Sequence, residues 1–110
     1  MLVALHTTIK PGHEEGYLRD HQTIPADLVE TFGRIGIRNW SIWRSGRDLF
    51  HLVECDDFAA AMEALTTDPA DQKWQAFINE HVAGMVTFGD GVEGYPMPQV
   101  WTLVDQLRGS

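Results

Sequence analysis

The stretch from Ile37 to Cys55 constrains the fold more than any other part of the chain. It holds two β-type runs separated only by Ser45-Gly46-Arg47. In the first run Ile37, Asn39, Ser41 and Trp43 alternate with Arg38, Trp40 and Ile42, a period of two that puts Trp40 and Ser41 on opposite faces. The second run, Asp48 to Cys55, is of the same type. Runs joined by so short a turn pair as an antiparallel hairpin. With 110 residues and 44% hydrophobic content, the chain has material for one core built on that hairpin and is too short for two ordinary domains, so residues 1–110 read as a single domain.

The flanking segments complete a pattern around the hairpin. Met1 to Ile9 is rich in Leu, Val, Ile and Thr and stops at Lys10-Pro11-Gly12, as a strand followed by a turn does. From His13 to Phe32 the period becomes helical: Tyr17, His21, Ile24, Leu28 and Phe32 recur at spacings of four and three, with Glu14, Glu15, Arg19, Asp27 and Glu30 on a polar side. Pro25 interrupts this run, predicting a kink or a fresh start capped by Thr23, and Gly33 and Gly36 end it. Asp56-Asp57 caps a helix through about Leu65, and Asp68-Pro69 starts another through about Val82. The Gly- and Pro-rich stretch Gly84 to Pro98 is long for a loop in so small a domain and is expected to cover a site or reach a neighbouring subunit. Gln99 to Leu103 reads as the last strand.

The resulting order is β-α-β-β-α-β, with the second helical unit split in two. This is the ferredoxin-like α+β motif, a four-stranded antiparallel sheet with helices on one face. The other face needs a cover, and a second copy packed sheet against sheet supplies one, so a homodimer is expected.

Sixteen acidic against eight basic residues give a formal charge of -8, which repels nucleic-acid phosphates and anionic membranes and favours neutral or cationic small-molecule ligands. No nucleic-acid or membrane partner is expected. Cys55 is the only cysteine, which leaves no intrachain disulfide or Cys-based metal cluster and suits a reducing cytoplasm. The start MLVALHTTIK lacks the basic region and cleavage site of a signal peptide, and no run approaches the roughly 20 apolar residues of a membrane-spanning helix.

Tyr17 and His21 are four apart, so a helix stacks them on one face, where an imidazole can exchange a proton and a phenol can orient an oxygen beside it. The same spacing also suits a core tyrosine and a hydrogen-bonded or exposed histidine. Trp40 and Trp74 offer indole faces suited to the C–H faces of sugars and other small rings, or to core packing. Trp43 and Trp101 look more like core or interface residues. His6 and His51 lie on neighbouring strands with Glu54 nearby, but His51 and Glu54 are three apart on a strand and face opposite sides, so no metal site is expected. Surface roles suffice for His13 and His81. The G-x-S-x-G, Walker-type, G-x-G-x-x-G and H-E-x-x-H signatures are absent, which removes support for hydrolase, kinase and dinucleotide-dependent readings.

Several segments together resemble the L-rhamnose mutarotase family. They are Lys10-Pro11-Gly12-His13-Glu14-Glu15-Gly16-Tyr17 with His21, Gly36 to Ile42, Leu49-Phe50 with Val53-Glu54, Asp71-Gln72-Lys73-Trp74, and Gln99 to Leu103. The resemblance implies a dimeric α/β barrel that needs no cofactor and interconverts the α and β anomers of a 6-deoxy hexose. It also implies His21 as the proton donor and Tyr17 as a sugar-binding residue, and from these roles we expect His21, as imidazolium or through a water, to protonate the ring oxygen. Trp40 stands where the family usually has a sugar-binding tyrosine, and Trp74 and Gln75 stand at what is usually a pair of sugar-binding tryptophans. Trp40 and Gln75 thus depart from the pattern, because indole lacks the phenol's acceptor and an amide lacks indole's stacking face. These departures leave open L-rhamnose, L-fucose, another deoxy sugar or a non-sugar ring. A cofactorless cyclase or oxygenase on the same dimeric scaffold and a non-catalytic small-molecule-binding dimer are the alternative readings.

Overall fold

The hairpin forms as its alternation requires. The computed structural model describes residues 1–85 and 96–109, and in it β2 (Ile37–Ser45) and β3 (Asp48–Cys55) pair antiparallel. Gly46 turns the chain between them at φ +61°, a backbone conformation that glycine adopts without steric cost. β1 (Leu2–Ile9) lies antiparallel along the other edge of β3, and β4 (Val82–Met85) lies antiparallel along β1. The order β2-β3-β1-β4 is the four-stranded ferredoxin-like sheet expected from the sequence.

Strand alternation decides which face the helices cover. In β1, Val3, Leu5, Thr7 and Ile9 are buried, while Leu2, Ala4, His6 and Thr8 between them are not. Against the buried face pack α1 (Glu14–Asp20), α2 (Ala26–Arg34), α3 (Phe58–Thr66) and α4 (Pro69–Ile78). Val3, Leu5, Val53, Phe58 and Leu65 form one part of the core, and Ile9, Tyr17, Leu28, Leu49 and Trp74 form another. Phe32 touches both and joins them.

The later helices start where side-chain caps were expected. Asp57 accepts the Ala60 N–H at 3.1 Å at the head of α3, and Asp68 accepts the Asp71 N–H at 2.9 Å at the head of α4, where Pro69 follows. Asp68 also accepts the Thr31 hydroxyl at 3.1 Å and an Arg34 N–H at 3.2 Å. One carboxylate therefore caps α4 and ties it to α2, which fixes the helix that carries Trp74.

Three boundaries differ from the sequence reading, each for a local reason. The first helical run splits completely: α1 ends at Asp20, and α2 starts after Pro25, whose carbonyl takes the Leu28 and Val29 N–H groups at 3.1 Å without help from Thr23. Gly33 lies inside α2, and Gly36, at φ +87°, makes the turn into β2. α4 stops at Ile78 instead of Val82, because Val82 already belongs to β4.

The largest difference is the last strand, which is Val82–Met85 and not Gln99–Leu103. Met97 does donate its N–H to the Ala4 carbonyl at 2.8 Å, so the chain passes the β1 edge again beyond β4. Beyond it, however, Val100 is 99% and Trp101 63% exposed, so the apolar run that reads as a strand pairs with no strand among the described residues. Thr102 instead precedes the short helix α5 (Leu103–Leu107), which buries none of its residues. Residues 86–95 of the Gly- and Pro-rich stretch lie outside the described residues.

Candidate active site

α1 is anchored from beneath by a cluster that composition alone hides. His81, buried just before β4, meets Asp20 Oδ2 through Nε2 at 2.8 Å and His13 Nδ1 through its own Nδ1 at 3.0 Å. Its ring lies so close to Gly16 that a Cβ there would approach it to 2.7 Å, which explains the glycine in mid-helix. Hydrogen bonds from Arg19 and His81 hold the Asp20 carboxyl below the usual carboxylate range. His81 is therefore an internal strut and not the surface residue the sequence suggested.

That strut presents Tyr17 and His21 to the space between the helices and the sheet. His21 sits at the end of α1 and donates its backbone N–H to the Tyr17 carbonyl at 3.0 Å. The Tyr17 and His21 rings lie 5.2 Å apart, and His21 meets Trp74 of α4 edge-on at 5.2 Å. Burial pushes the Tyr17 phenol up to about 12 and the His21 imidazole below its ordinary value. At neutral pH the phenol keeps its proton and the imidazole is uncharged.

The sheet supplies the opposite wall. Trp40 stacks on Phe32 at 5.8 Å and points its Nε1–H at His51 Nδ1, 3.1 Å away, while His51 Nε2 lies 2.9 Å from Thr7 Oγ1. Burial first, and then the neighbouring His21 and His6, bring His51 down to about 4. Tyr17, His21, Trp40, Trp74 and Gln75, the five site residues expected from the sequence, all line one cleft of about 1230 Å³. A monosaccharide fits in it with room to spare.

The family model for L-rhamnose mutarotase matches residues 2–103. The chain belongs to the L-rhamnose mutarotase family. An L-rhamnose mutarotase of Burkholderia ambifaria (strain MC40-6) is 31% identical over 83 residues, covering 74% of this chain and 79% of that protein. The crystal structure of an L-rhamnose mutarotase from Formosa agariphila superposes with a TM-score of 0.70 at 17% identity, over 94% of this chain and 98% of that one. The tetracenomycin F2 cyclase of Streptomyces glaucescens superposes with a TM-score of 0.63, also at 17% identity, over 93% and 95%. At such identities the last two likenesses speak for the fold alone.

Within this mutarotase-family cleft stand polar residues that the sequence reading did not place there, Thr7, His51 and Asp71 among them. Thr7 and His51 face it from β1 and β3, because His51 pairs with Leu5 across the ladder and shares its buried face. His6 pairs with Phe50 on the other face, so His6 and His51 cannot meet around a metal. Asp71 faces the cleft one helical turn before Trp74 and Gln75, and burial raises its carboxyl above the usual range. The i, i+3, i+4 spacing of Asp71, Trp74 and Gln75 could have found it. Nothing in the sequence pairs Trp40 with His51, eleven positions away; that contact needs the strand register.

Proposed function

We propose that this member of the mutarotase family interconverts the α and β anomers of a 6-deoxy hexose such as L-rhamnose or L-fucose, with His21 moving the proton. The observation that carries the assignment is the contiguous set Tyr17, His21 and Trp74, which places a neutral imidazole beside a protonated phenol and an indole in one cleft. An uncharged His21 takes the proton of the anomeric hydroxyl as the C1–ring oxygen bond breaks. Tyr17, which holds its proton, donates a hydrogen bond to the departing ring oxygen. The proton on His21 then passes to that oxygen, giving the open hydroxy-aldehyde. Rotation about C1–C2 and the same steps in reverse on the other carbonyl face give the second anomer. Trp40, Trp74 and Gln75 hold the ring.

The protein works as a homodimer in this reading, with the uncovered face of the sheet against its copy. Leu2 and Trp43 on that face are 56% and 57% exposed in the single chain, and the C-terminal residues Val100, Trp101 and Leu107 are exposed as well. No helix among the described residues is long and apolar enough to cross a membrane, and the buried, unpaired Cys55 suits a cytoplasmic setting.

Saturation-transfer NMR on L-rhamnose and L-fucose tests the assignment, because a mutarotase accelerates exchange between the two anomeric proton signals. His21→Ala should lower that exchange by about 10²–10⁴-fold while the fold persists. Full exchange in that variant would remove His21 from the mechanism. Silence of the wild-type protein with every deoxy sugar would favour a cyclase or oxygenase acting on another ring.

A further inference from the structure

We infer that Trp40, His51 and Thr7 form a hydrogen-bond relay that turns the Thr7 hydroxyl into a donor aimed at an oxygen of the ring substrate, which makes Thr7 a binding residue and His51 and Trp40 its positioning residues. This deepens the mutarotase reading of the cleft and rests on it. The direction of the relay follows from the chemistry of its first member. An indole N–H can only donate, so at 3.1 Å from Trp40 Nε1 the Nδ1 of His51 must accept. A neutral ring that accepts at Nδ1 carries its hydrogen on Nε2. That hydrogen points at Thr7 Oγ1, 2.9 Å away, and occupies a lone pair of the hydroxyl. The hydroxyl's own hydrogen is left to donate elsewhere, and Thr7 makes no other side-chain hydrogen bond among the described residues. Thr7 is nearly buried and lines the cleft, where the acceptor within reach is a substrate oxygen or the water it replaces.

The relay also gives the departure at Trp40 a physical meaning. A phenol beside His51 could either donate or accept, so the imidazole could take either tautomer and Thr7 either orientation. Indole removes that freedom. Its N–H is spent on His51 and one of its faces on Phe32, so Trp40 contributes to recognition mainly through what it imposes on Thr7.

The test has two independent readouts on the full-length protein. Long-range ¹H–¹⁵N NMR of the imidazole nitrogens should find His51 as the Nε2–H tautomer, and Trp40→Phe should release it to a mixture. Anomer exchange with L-rhamnose or L-fucose should fall about tenfold in kcat/KM in Thr7→Val, mainly through KM, and Thr7→Ser should recover most of that loss. Trp40→Phe should fall by a similar factor, and the double variant Thr7→Val/Trp40→Phe no further than either single one. An Nδ1–H tautomer in the wild type overturns the relay whatever the activity, and so do losses that simply multiply in the double variant. Exchange that Thr7→Val leaves untouched sinks the Thr7 contact but spares the mutarotase reading. Absence of exchange in the wild type sinks that reading and the contact with it, and the tautomer measurement still decides the relay.

Discussion

The two faces of the sheet are built from the same strands and differ by one residue of register, yet their surroundings differ. On the helix-covered face Leu49, His51 and Val53 of β3 lie among core side chains, and His51 has both ring nitrogens hydrogen-bonded. On the other face Phe50 and Leu52 are half-buried, Trp43 and Leu2 are exposed, and His6 pairs with Asp48 at 2.8 Å while stacking on Phe50. A strand alternates its side chains, so one run of sequence can furnish a chemical wall and an assembly surface at once. The covered face ties His51 to Trp40 and Thr7 beside the cleft, and the other leaves apolar area exposed in the single chain.

Truncation of neighbouring leucines gives the largest test of that contrast. Leu49 is 1% exposed, so Leu49→Ala should cost about 2–5 kcal/mol in urea unfolding. Leu52→Ala, three residues on and on the opposite face, should cost under about 1 kcal/mol in dilute protein. Equal losses would mean that both faces are buried alike even at low concentration, as in a dimer with no folded monomer.

The covered face should also set the acid limit of stability. His51 titrates near 4 when folded and near its ordinary 6.5 when unfolded, so between those values the unfolded chain binds a proton that the folded chain refuses. Stability is then fully present above the unfolded value and falls as the pH drops. From pH 8 to pH 5 the loss from His51 alone is about 2 kcal/mol, with His21 adding in the same direction. Urea midpoints at successive pH values should trace this decline, and His51→Gln should flatten it. An unchanged slope in that variant would place the acid sensitivity elsewhere.

What the sequence revealed and what it withheld divide along similar lines. Local signals were enough for the hairpin at Gly46, the caps at Asp57 and Asp68, and the helix face that brings Tyr17 to His21, because each depends on residues within a turn or two. The contacts that needed register stayed hidden: Trp40 to His51, His51 to Thr7, and His81 reaching across 61 positions to Asp20. The last strand misled for a related reason. Val100 to Leu103 has the composition of a strand, but composition does not say whether an edge is available, and within the chain β4 already occupies the β1 edge from Thr7 to Ile9. Family membership was legible from the order of many short motifs, none of them decisive alone, and a family match over residues 2–103 bears out that membership.

The smallest effect on folding should come from the residue with the largest effect on assembly. Trp43 pairs with Phe50 on the uncovered face and remains 57% exposed in the single chain, so burying it against a copy would remove a large apolar area from water. In the proposed homodimer, Trp43→Glu would place a charge there and repeat it across the two-fold axis, so each dimer would carry the penalty twice. Dimer dissociation measured by analytical ultracentrifugation should weaken by at least about tenfold, roughly 1.4 kcal/mol or more. Unfolding of the monomer should move by no more than about 0.5 kcal/mol, as is usual for an exposed position. The cleft lies on the opposite face, so anomer exchange per chain in the monomeric variant should stay near that of the wild type. Loss of exchange together with loss of the dimer would mean that the two faces are coupled, with assembly needed to complete the cleft. Retention of a tight dimer would move the interface off this face, and the exposed apolar residues of the C-terminal segment would then be the next surface to charge.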